Sequence, residues 1–404
     1  MINTNKCDYL IIGAGVIGLS TGIALLESDP SLKVVIVEKE KTLGNHASGR
    51  NSGVLHAGFY YSPESLKAKF CRDGNLSMRK LARKYNIKIR EVGKVVLAKN
   101  LEESQRLEEL FNRGIINGVE LELLDQSKLR FYEPLATTHD RFIWSPTTAV
   151  SDPNEIIESM RREFEFLGGR IEFNKKVKLE LSGNEIIEAT NSFAARHYIN
   201  TAGTQSDRIA RALGIGTEFV TLPFMGIYYE TKASFLPLQR LVYPVPHPVN
   251  PFLGLHFTLT FDNKIKIGPT AIPILGKEQY SIGSKFSFTD FSDVLKASGA
   301  LIRGDAHDFS SIIRTELPSL FKKFQIKNLE KLVPSSKYVR NWHKKSPGIR
   351  AQLVNLKTGE LVQDFIVTDF LNSTHVLNVV SPGWTSSINF GQYISKCILD
   401  QKSN

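Results

Sequence analysis

Near its amino terminus the chain switches between two hydrophobic periods. Tyr9 to Ile12 form an unbroken apolar run of strand length, Val16 to Glu27 carry apolar residues at helical spacing, and Val34 to Val37 are apolar again. This order predicts a βαβ unit. The turn into the helix reads Gly13-Ala-Gly-Val-Ile-Gly18. Gly13 suits a tight turn, Gly15 lets the backbone approach a pyrophosphate, and Gly18 lets the helix pack closely on the strand. The N–H groups at Val16 and Ile17 then open the helix towards the phosphates, where the positive end of the helix dipole stabilises an anion. Glu38 follows Gly18 by twenty residues and ends the second strand, where a carboxylate accepts hydrogen bonds from a ribose. Dinucleotide binding follows from the ordered set rather than from the glycines alone. The apolar stretch from Tyr9 to Leu26 could pass for a signal peptide or a membrane span, but the three glycines of the turn inside it, only Lys6 ahead of it and an amphipathic exit argue against both.

Further on, the run beginning at Gly168, then NEIIEAT, then HYINTAG read as strands returning to the nucleotide-binding sheet, with Gly203 after the last. A charged helical stretch from Leu101 to Asn117 and a strand-rich stretch from Thr221 to Pro269 differ in character. The expected fold class is α/β. A Rossmann-like domain (residues 1–90, 150–215 and 340–404) interleaves with an α+β substrate domain (91–149 and 216–339) built on an antiparallel or mixed sheet.

Composition narrows this little. The 404 residues exceed what one core usually serves. Three scattered cysteines, Cys7, Cys71 and Cys397, have no metal-site spacing, so a reducing compartment is expected, with no metal. The formal charge of +10 is dispersed, with clusters at Arg79, Lys80, Arg83 and Lys84 and at Lys337, Arg340, His343, Lys344 and Lys345. No nucleic-acid motif with interleaved aromatics accompanies them. A solvated face is the simple reading of both clusters, and a peripheral association with the inner face of a membrane is the other; the expected location is cytoplasmic.

His56 stands among small and apolar residues between Gly53 and Gly58, an unusual place for a titratable ring. Alternation along Phe252 to Leu259 puts His256 on the face opposite Leu253, Leu255, Phe257 and Leu259. A neutral imidazole suits a base working near neutral pH. Arg350, in SPGIRAQ, offers a planar, permanently charged fork for a carboxylate. Each also has a bland reading: a packed turn for His56, a core position for His256, a structural salt bridge for Arg350.

Four blocks carry a family resemblance: EKEKTLGNHASGRNSGVLHAGFYYSPESLKAKFCRDGN; RLVYPVPHPVNPFLGLHFT with KIKIGPTA; SPGIRAQLV with LVQDFIV; and HVLNVVSPGWTSSINFGQYI. With the glycine fingerprint they span nearly the whole chain. The sequence resembles the L-2-hydroxyglutarate oxidase/dehydrogenase family, within the D-amino-acid-oxidase and glycine-oxidase type of FAD oxidoreductase. The resemblance implies FAD, oxidation of a small anionic 2-hydroxy acid by hydride transfer to flavin N5, and electron delivery to oxygen, a quinone or a carrier. It implies FAD contacts from Lys39, Arg50, Asn51, Ser52, Gly53, Val177 and Gly203, and from a carboxyl-terminal flavin loop, Ser381 to Ser387, that includes Gly383, Trp384, Thr385 and Ser386. It also implies a substrate site of Arg350, His256, Tyr61 and Tyr243, with His56 beside the flavin as an acid/base group or an attachment point.

The chain departs from the family pattern where relatives carry an arginine followed by glycine and an acid after Pro-Phe. Here Met225 and Ile227 occupy that stretch. Gly383 and Trp384 replace small alanines, and His247 stands in place of an acid. An amine or amino-acid oxidase, and a flavin-binding member without turnover, are the alternatives these departures leave open.

Overall fold

The computed structural model describes residues 5–246, 253–281, 287–304, 313–314 and 316–401. His247 and Phe252 lie outside them.

The expected βαβ unit is present as β1 (Asn5–Ile12), α1 (Val16–Ser28) and β2 (Val34–Val37). β1 begins four residues before the apolar run because Asn5, Lys6 and Cys7 continue a parallel ladder with Phe193, Ala194 and Ala195. The six-stranded sheet runs β21 (Ile366–Phe370), β22 (Ser373–Leu377), β11 (Phe193–Asn200), β1, β2 and β8 (Arg170–Glu172), parallel except for β21. Both faces are covered, as a parallel sheet requires. Tyr9 and Ile11 point into a core shared with α1, α2 (Leu66–Lys84), α5 (Pro153–Phe166) and the last helix, Gly383–Gln401. Leu10 and Ile12 point the other way, onto Leu179 and Ile186.

Those last two residues correct one expectation. The NEIIEAT strand does not join the nucleotide-binding sheet: β10 (Glu185–Glu188) pairs only with β9 (Leu179–Ser182), turning at Gly183 with φ +61°. The hairpin lies over the sheet as a cover, burying Leu179 and Ile186 and leaving its other face wet.

The second large sheet is mixed. Its order is β18 (His343–Lys344), β13 (Tyr229–Lys232), β16 (Lys264–Gly268), β15 (His256–Leu259), β14 (Leu241–Pro244), β4 (Lys94–Leu97), β6 (Arg141–Ser145) and β5 (Glu122–Asp125). Only the β14–β4 pair is parallel. α3 (Leu101–Ile116) and the short α4 (Leu129–Tyr132) pack against it through Leu107, Leu110 and Leu129.

A four-stranded sheet, β17 (Ile272–Pro273), β12 (Phe219–Gly226), β19 (Gly348–Asn355) and β20 (Glu360–Leu361), packs on α7 (Phe288–Gly304). A two-stranded ladder of β3 (Val54–Leu55) with β7 (Ala149–Val150) holds the segment just before His56. α6 (Ser206–Ala212) follows β11 and is fastened by ion pairs to the first turns of α7, Arg208 with Asp290 and Arg211 with Asp293, and to the segment before α7, Asp207 with Lys277.

Candidate active site

At the carboxyl end of β1, Gly13 adopts φ +104°, and a Cβ there would stand 2.8 Å from the Thr201 carbonyl oxygen. Only glycine takes both that conformation and that approach at low cost. At Gly18 a Cβ would meet the Gly13 carbonyl oxygen at 2.1 Å, so this residue serves helix-on-strand packing. At Gly15 a Cβ would touch only the Ser48 hydroxyl, at 3.1 Å. What a larger side chain at Gly15 would fill is open space.

That space is one continuous cavity of about 650 Å³. Gly13, Gly15, Val16, Ile17 and Glu38 line one part, with Lys39, Arg50, Asn51, Ser52, Val177 and Gly203 beside them. His56, Tyr228, Tyr243, His256, Arg350, Gly383, Trp384 and Thr385 line another part. Four of the residues singled out in the sequence, Gly18, Gly53, Tyr61 and Ser386, are not on its wall. Gly53 (φ +73°) turns the chain where a Cβ would meet the Ser151 carbonyl oxygen at 2.3 Å. Tyr61 is half-buried against the core of the eight-stranded sheet, and Ser386 is wholly buried. Met225 pairs with Ile349 and Ile272 and is also off the wall, although Gly226 and Tyr228 are on it.

The expected carboxyl-terminal loop is shorter than the sequence suggests. The last helix already begins at Gly383, so Trp384, Thr385 and Ser386 form its first turn. Thr385 is a tie: its hydroxyl donates to the Val54 carbonyl (3.2 Å) and accepts from the His56 backbone N–H (3.2 Å). The Asn75 amide, on α2, donates to the carbonyls of Leu55 and His56, fixing the same segment from another side.

Glu38 is held inside the loop it follows. One carboxylate oxygen accepts from the Ala14 N–H (2.9 Å) and the other from the Glu40 N–H (3.0 Å). Lys39 is ion-paired, its ammonium lying 2.6 Å from Glu40, 2.9 Å from Glu278 and 2.9 Å from His46 Nε2. Glu40, His46 and Glu278 are close enough to share a metal ion, but the cation they surround is that ammonium.

The histidines and the arginine come from three separate elements. His256 Nδ1 lies 2.8 Å from the Gly254 carbonyl, which can only accept, so Nδ1 carries the proton and Nε2 presents a lone pair. Its ring stacks on Tyr243, centroids 3.7 Å apart and 17° from parallel. Burial pushes the His256 pKa down to about 3, opposed by the Gly254 bond and reinforced by the charges of Lys94 and Arg350. Burial likewise holds His56 well below the usual histidine range, with Lys94, His256 and Arg350 adding to it. His56 Nδ1 has no hydrogen-bond partner among the described residues. The resting site therefore holds two neutral imidazoles beside a fixed guanidinium.

Sequence reasoning missed Ser48, Tyr228 and Lys94. The Ser48 hydroxyl accepts from the Val16 N–H at 3.1 Å, at the start of α1. No periodic signal marks it, though it lies in the block that carries the family resemblance. Lys94 opens a strand and looks like an exposed end; only the sheet register reveals it as wholly buried.

Comparison with known proteins agrees with this geometry. The FAD dependent oxidoreductase family model matches residues 8–396. The L-2-hydroxyglutarate dehydrogenase of Escherichia coli strain K12 is 32% identical over 394 residues, covering 96% of this chain and 92% of the relative. The mitochondrial L-2-hydroxyglutarate dehydrogenase of Homo sapiens is 34% identical over 408 residues, covering 96% and 87%. The chain belongs to the L-2-hydroxyglutarate dehydrogenase family. Among solved structures, the L-alpha-glycerophosphate oxidase of Mycoplasma pneumoniae with FAD bound superposes with a TM-score of 0.74 at 21% identity, covering 98% of this chain and 95% of that one. A glycine oxidase from Bacillus cereus gives 0.70 at 16%, covering 98% and 96%. These two share the fold.

This member of the family is an FAD-dependent oxidoreductase, and its residues fit that cofactor. Gly15, at the start of α1, has no side chain to cap the helix and faces the cavity. Gly203 lies at φ +58° with no atom within 4 Å of where a Cβ would stand, so the chain comes bare to the same space. Deeper in, Trp384 Nε1 and His56 Nδ1 are buried polar atoms without partners among the described residues. Both lie on residues of the cavity wall.

Proposed function

We propose that this protein oxidises L-2-hydroxyglutarate to 2-oxoglutarate. The observation that carries the reading is that Arg350, His256 and His56 share one cavity with the glycine turn, in a chain 32–35% identical over about 96% of its length to dehydrogenases named for that substrate. When bound, FAD supplies the two-electron acceptor that no side chain can offer.

Residues 1–90, 150–215 and 340–404 hold FAD in this reading, and residues 91–149 and 216–339 close over the substrate. Gly15 and Ile17 receive the pyrophosphate on backbone N–H groups, Gly13 and Val16 line the turn with their own N–H groups donated to the Val37 carbonyl and the Ser48 hydroxyl, and Glu38 receives a ribose hydroxyl. Arg350 binds a substrate carboxylate in a bidentate fork. His256 Nε2 takes the hydroxyl proton. The resting imidazole is a weak base for this step because burial penalises its charged form. A dianionic substrate changes that balance, since negative charge beside the ring favours the imidazolium. His56, on the same cavity wall, polarises the reacting carbon's oxygen, while Tyr243 and Trp384 limit the width of the pocket.

Anaerobic titration of the yellow protein with L-2-hydroxyglutarate tests the reading. Loss of the oxidised flavin absorbance at stoichiometric substrate is expected; full absorbance retained with L-2-hydroxyglutarate, and lost with another 2-hydroxy acid or an amino acid, would reassign the substrate.

The electron acceptor is read as a membrane quinone, with the chain docked peripherally. Residues 317–345 hold seven lysines and one arginine against Glu330 alone, a net +7 of the chain's +10. In the same stretch Phe321, Phe324 and Tyr338 are 65%, 46% and 74% exposed. Aromatic rings among lysines suit an anionic lipid surface. No helix among the described residues is long and apolar enough to cross a membrane. Salt-sensitive co-sedimentation with anionic vesicles is expected, and no binding at low salt would remove the docking.

A further inference from the structure

Lys94 has no role in the reading above, yet its placement is hard to account for as packing. The side chain is 0% exposed, and Nζ has no hydrogen-bond partner among the described residues. Its surroundings are aromatic instead. Nζ lies 4.4 Å from the ring centroid of Tyr243, 4.8 Å from that of Tyr60 and 5.2 Å from that of Phe59. A buried amine without a partner is costly, and the faces of three rings compensate only part of that. An apolar side chain of the same length would fill the cage at less cost.

The sheet explains what the position gains. β14 runs between β4 and β15, and the registers Val96 with Tyr243 and Val242 with Phe257 put Lys94, Tyr243 and His256 on one face. Tyr243 is thus flanked by Lys94 from β4 on one side and by the stacked ring of His256 from β15 on the other. Tyr243 and His256 line the cavity, whereas Lys94 does not. It stands behind Tyr243 and touches neither substrate nor cofactor space.

We propose that Lys94 is a positioning residue for the oxidation: from behind Tyr243 it holds that ring stacked on His256 and turns a cation towards the imidazole, so that Nε2 stays open to accept a proton. The inference rests on reading His256 as the proton acceptor. The other groups facing this pair are Arg350 from β19, His56 from the segment after β3, Tyr228, and Tyr60 with Cys71 on the Lys94 side. Arg350 is the one permanent cation among these groups, and it acts in the same direction on His256. Burial lowers the Lys94 pKa to about 7, with Cys71 opposing. The residue is therefore balanced between charge states near neutrality, and a dianion arriving in the cavity draws it to the ammonium form.

The test uses FAD-loaded protein carrying Lys94→Met or Lys94→Arg, with histidine imidazoles followed by 15N NMR across pH, the His256 signal assigned by its absence in His256→Gln. In Lys94→Met the His256 titration is expected to move up by about one pH unit or more, and the acid limb of kcat/KM with it. Lys94→Arg keeps both low. Lys94→Met is also expected to melt several degrees higher than the parent, because it removes a buried, unpartnered amine. An unchanged His256 titration in Lys94→Met overturns the proposal. So does a lower melting temperature, or failure to fold, in Lys94→Met, which would make Lys94 a structural prop. A shifted His256 titration with an unmoved acid limb would leave the coupling standing and remove His256 as the base.

Discussion

Lys277 and Asp207 form a buried ion pair: Nζ lies 2.6 and 2.8 Å from the two carboxylate oxygens and neither side chain is exposed, with Arg211 reaching the same carboxylate at 3.3 Å. The pair joins the segment before α7 to α6, and the Asp207 carboxylate also accepts from the Thr221 N–H near the start of β12. Removing one partner of such a pair leaves the other charged and buried. Lys277→Met is expected to destabilise the protein by about 3–5 kcal/mol, read as a shift of the denaturant midpoint. An unchanged midpoint would show that the pair does not hold the segment.

The glycine turn separates two kinds of requirement. Gly15→Val places its methyls in the cavity, so FAD content should fall to near zero while the apoprotein melts close to the parent. Gly18→Ala drives a Cβ towards the Gly13 carbonyl oxygen, at 2.1 Å before any adjustment, and should lower the melting temperature itself. Flavin absorbance and a melting curve on the same two samples check both; a stable, FAD-loaded Gly15→Val protein would exclude the pyrophosphate from this loop.

Arg350→Ala should raise KM by about one and a half to three and a half orders of magnitude, corresponding to about 2–5 kcal/mol for a lost charge-paired contact, with FAD still bound. His256→Gln should act differently, lowering kcat by about 10²–10⁴-fold for a missing general base with a smaller effect on KM. Steady-state kinetics on the two variants separate anchoring from proton transfer. Equal loss of kcat in both would merge the roles.

Three buried histidines make the fold sensitive to acid, and His56 is one of them, held well below the usual histidine range chiefly by burial. The pKa of His256 is pushed down to about 3 and that of His375 to about 4, in both cases chiefly by burial. An unfolded chain takes up these protons near pH 6.5, whereas the folded chain refuses them. The stability they contribute is complete above about pH 6.5 and is lost as pH falls towards those folded values, at up to about 1.4 kcal/mol per pH unit for each group. The melting temperature is therefore expected to fall between pH 7 and pH 5, and less steeply in His256→Gln. A slope identical to the parent's would exclude His256 from the acid response.

Lys94 works in the opposite range. Its folded pKa near 7 lies below the ordinary lysine value, so the unfolded chain binds the extra proton across the interval up to about pH 10.4. Its cost to stability is full below about pH 7 and fades as pH rises. The gap in melting temperature between Lys94→Met and the parent should accordingly shrink from pH 7 to pH 10, a trend that differential scanning fluorimetry resolves.

The βαβ unit, the glycine turn and Glu38 were legible because local rules fix them: an apolar run of strand length, glycines at fixed spacing and a helical apolar period each act within a few residues. Arg350, His56 and His256 were legible as chemistry, through residue type and block resemblance, but not as neighbours. Their meeting in one cavity depends on β19 pairing with β12, on Thr385 and Asn75 tying the segment after β3, and on β15 lying beside β14. Where the sequence reading failed, the cause was also non-local. NEIIEAT has the pattern of a sheet strand, but its only partner is β9, and its apolar face is spent on covering the sheet. The flavin loop ended early because Gly383 can begin a helix as readily as extend a turn. Lys94 is the clearest case. A lysine at the start of a strand is ordinarily solvated, and only the register that sets β4 beside β14, with Phe59 and Tyr60 folded over both, removes it from water and turns its charge towards His256. The sequence by itself determined which chemical groups the protein carries and which short segments fold around glycine and apolar periodicity. Tertiary structure decided which groups face one another and which are dry, because burial and Coulomb interaction depend on distances that strand pairing between remote segments creates.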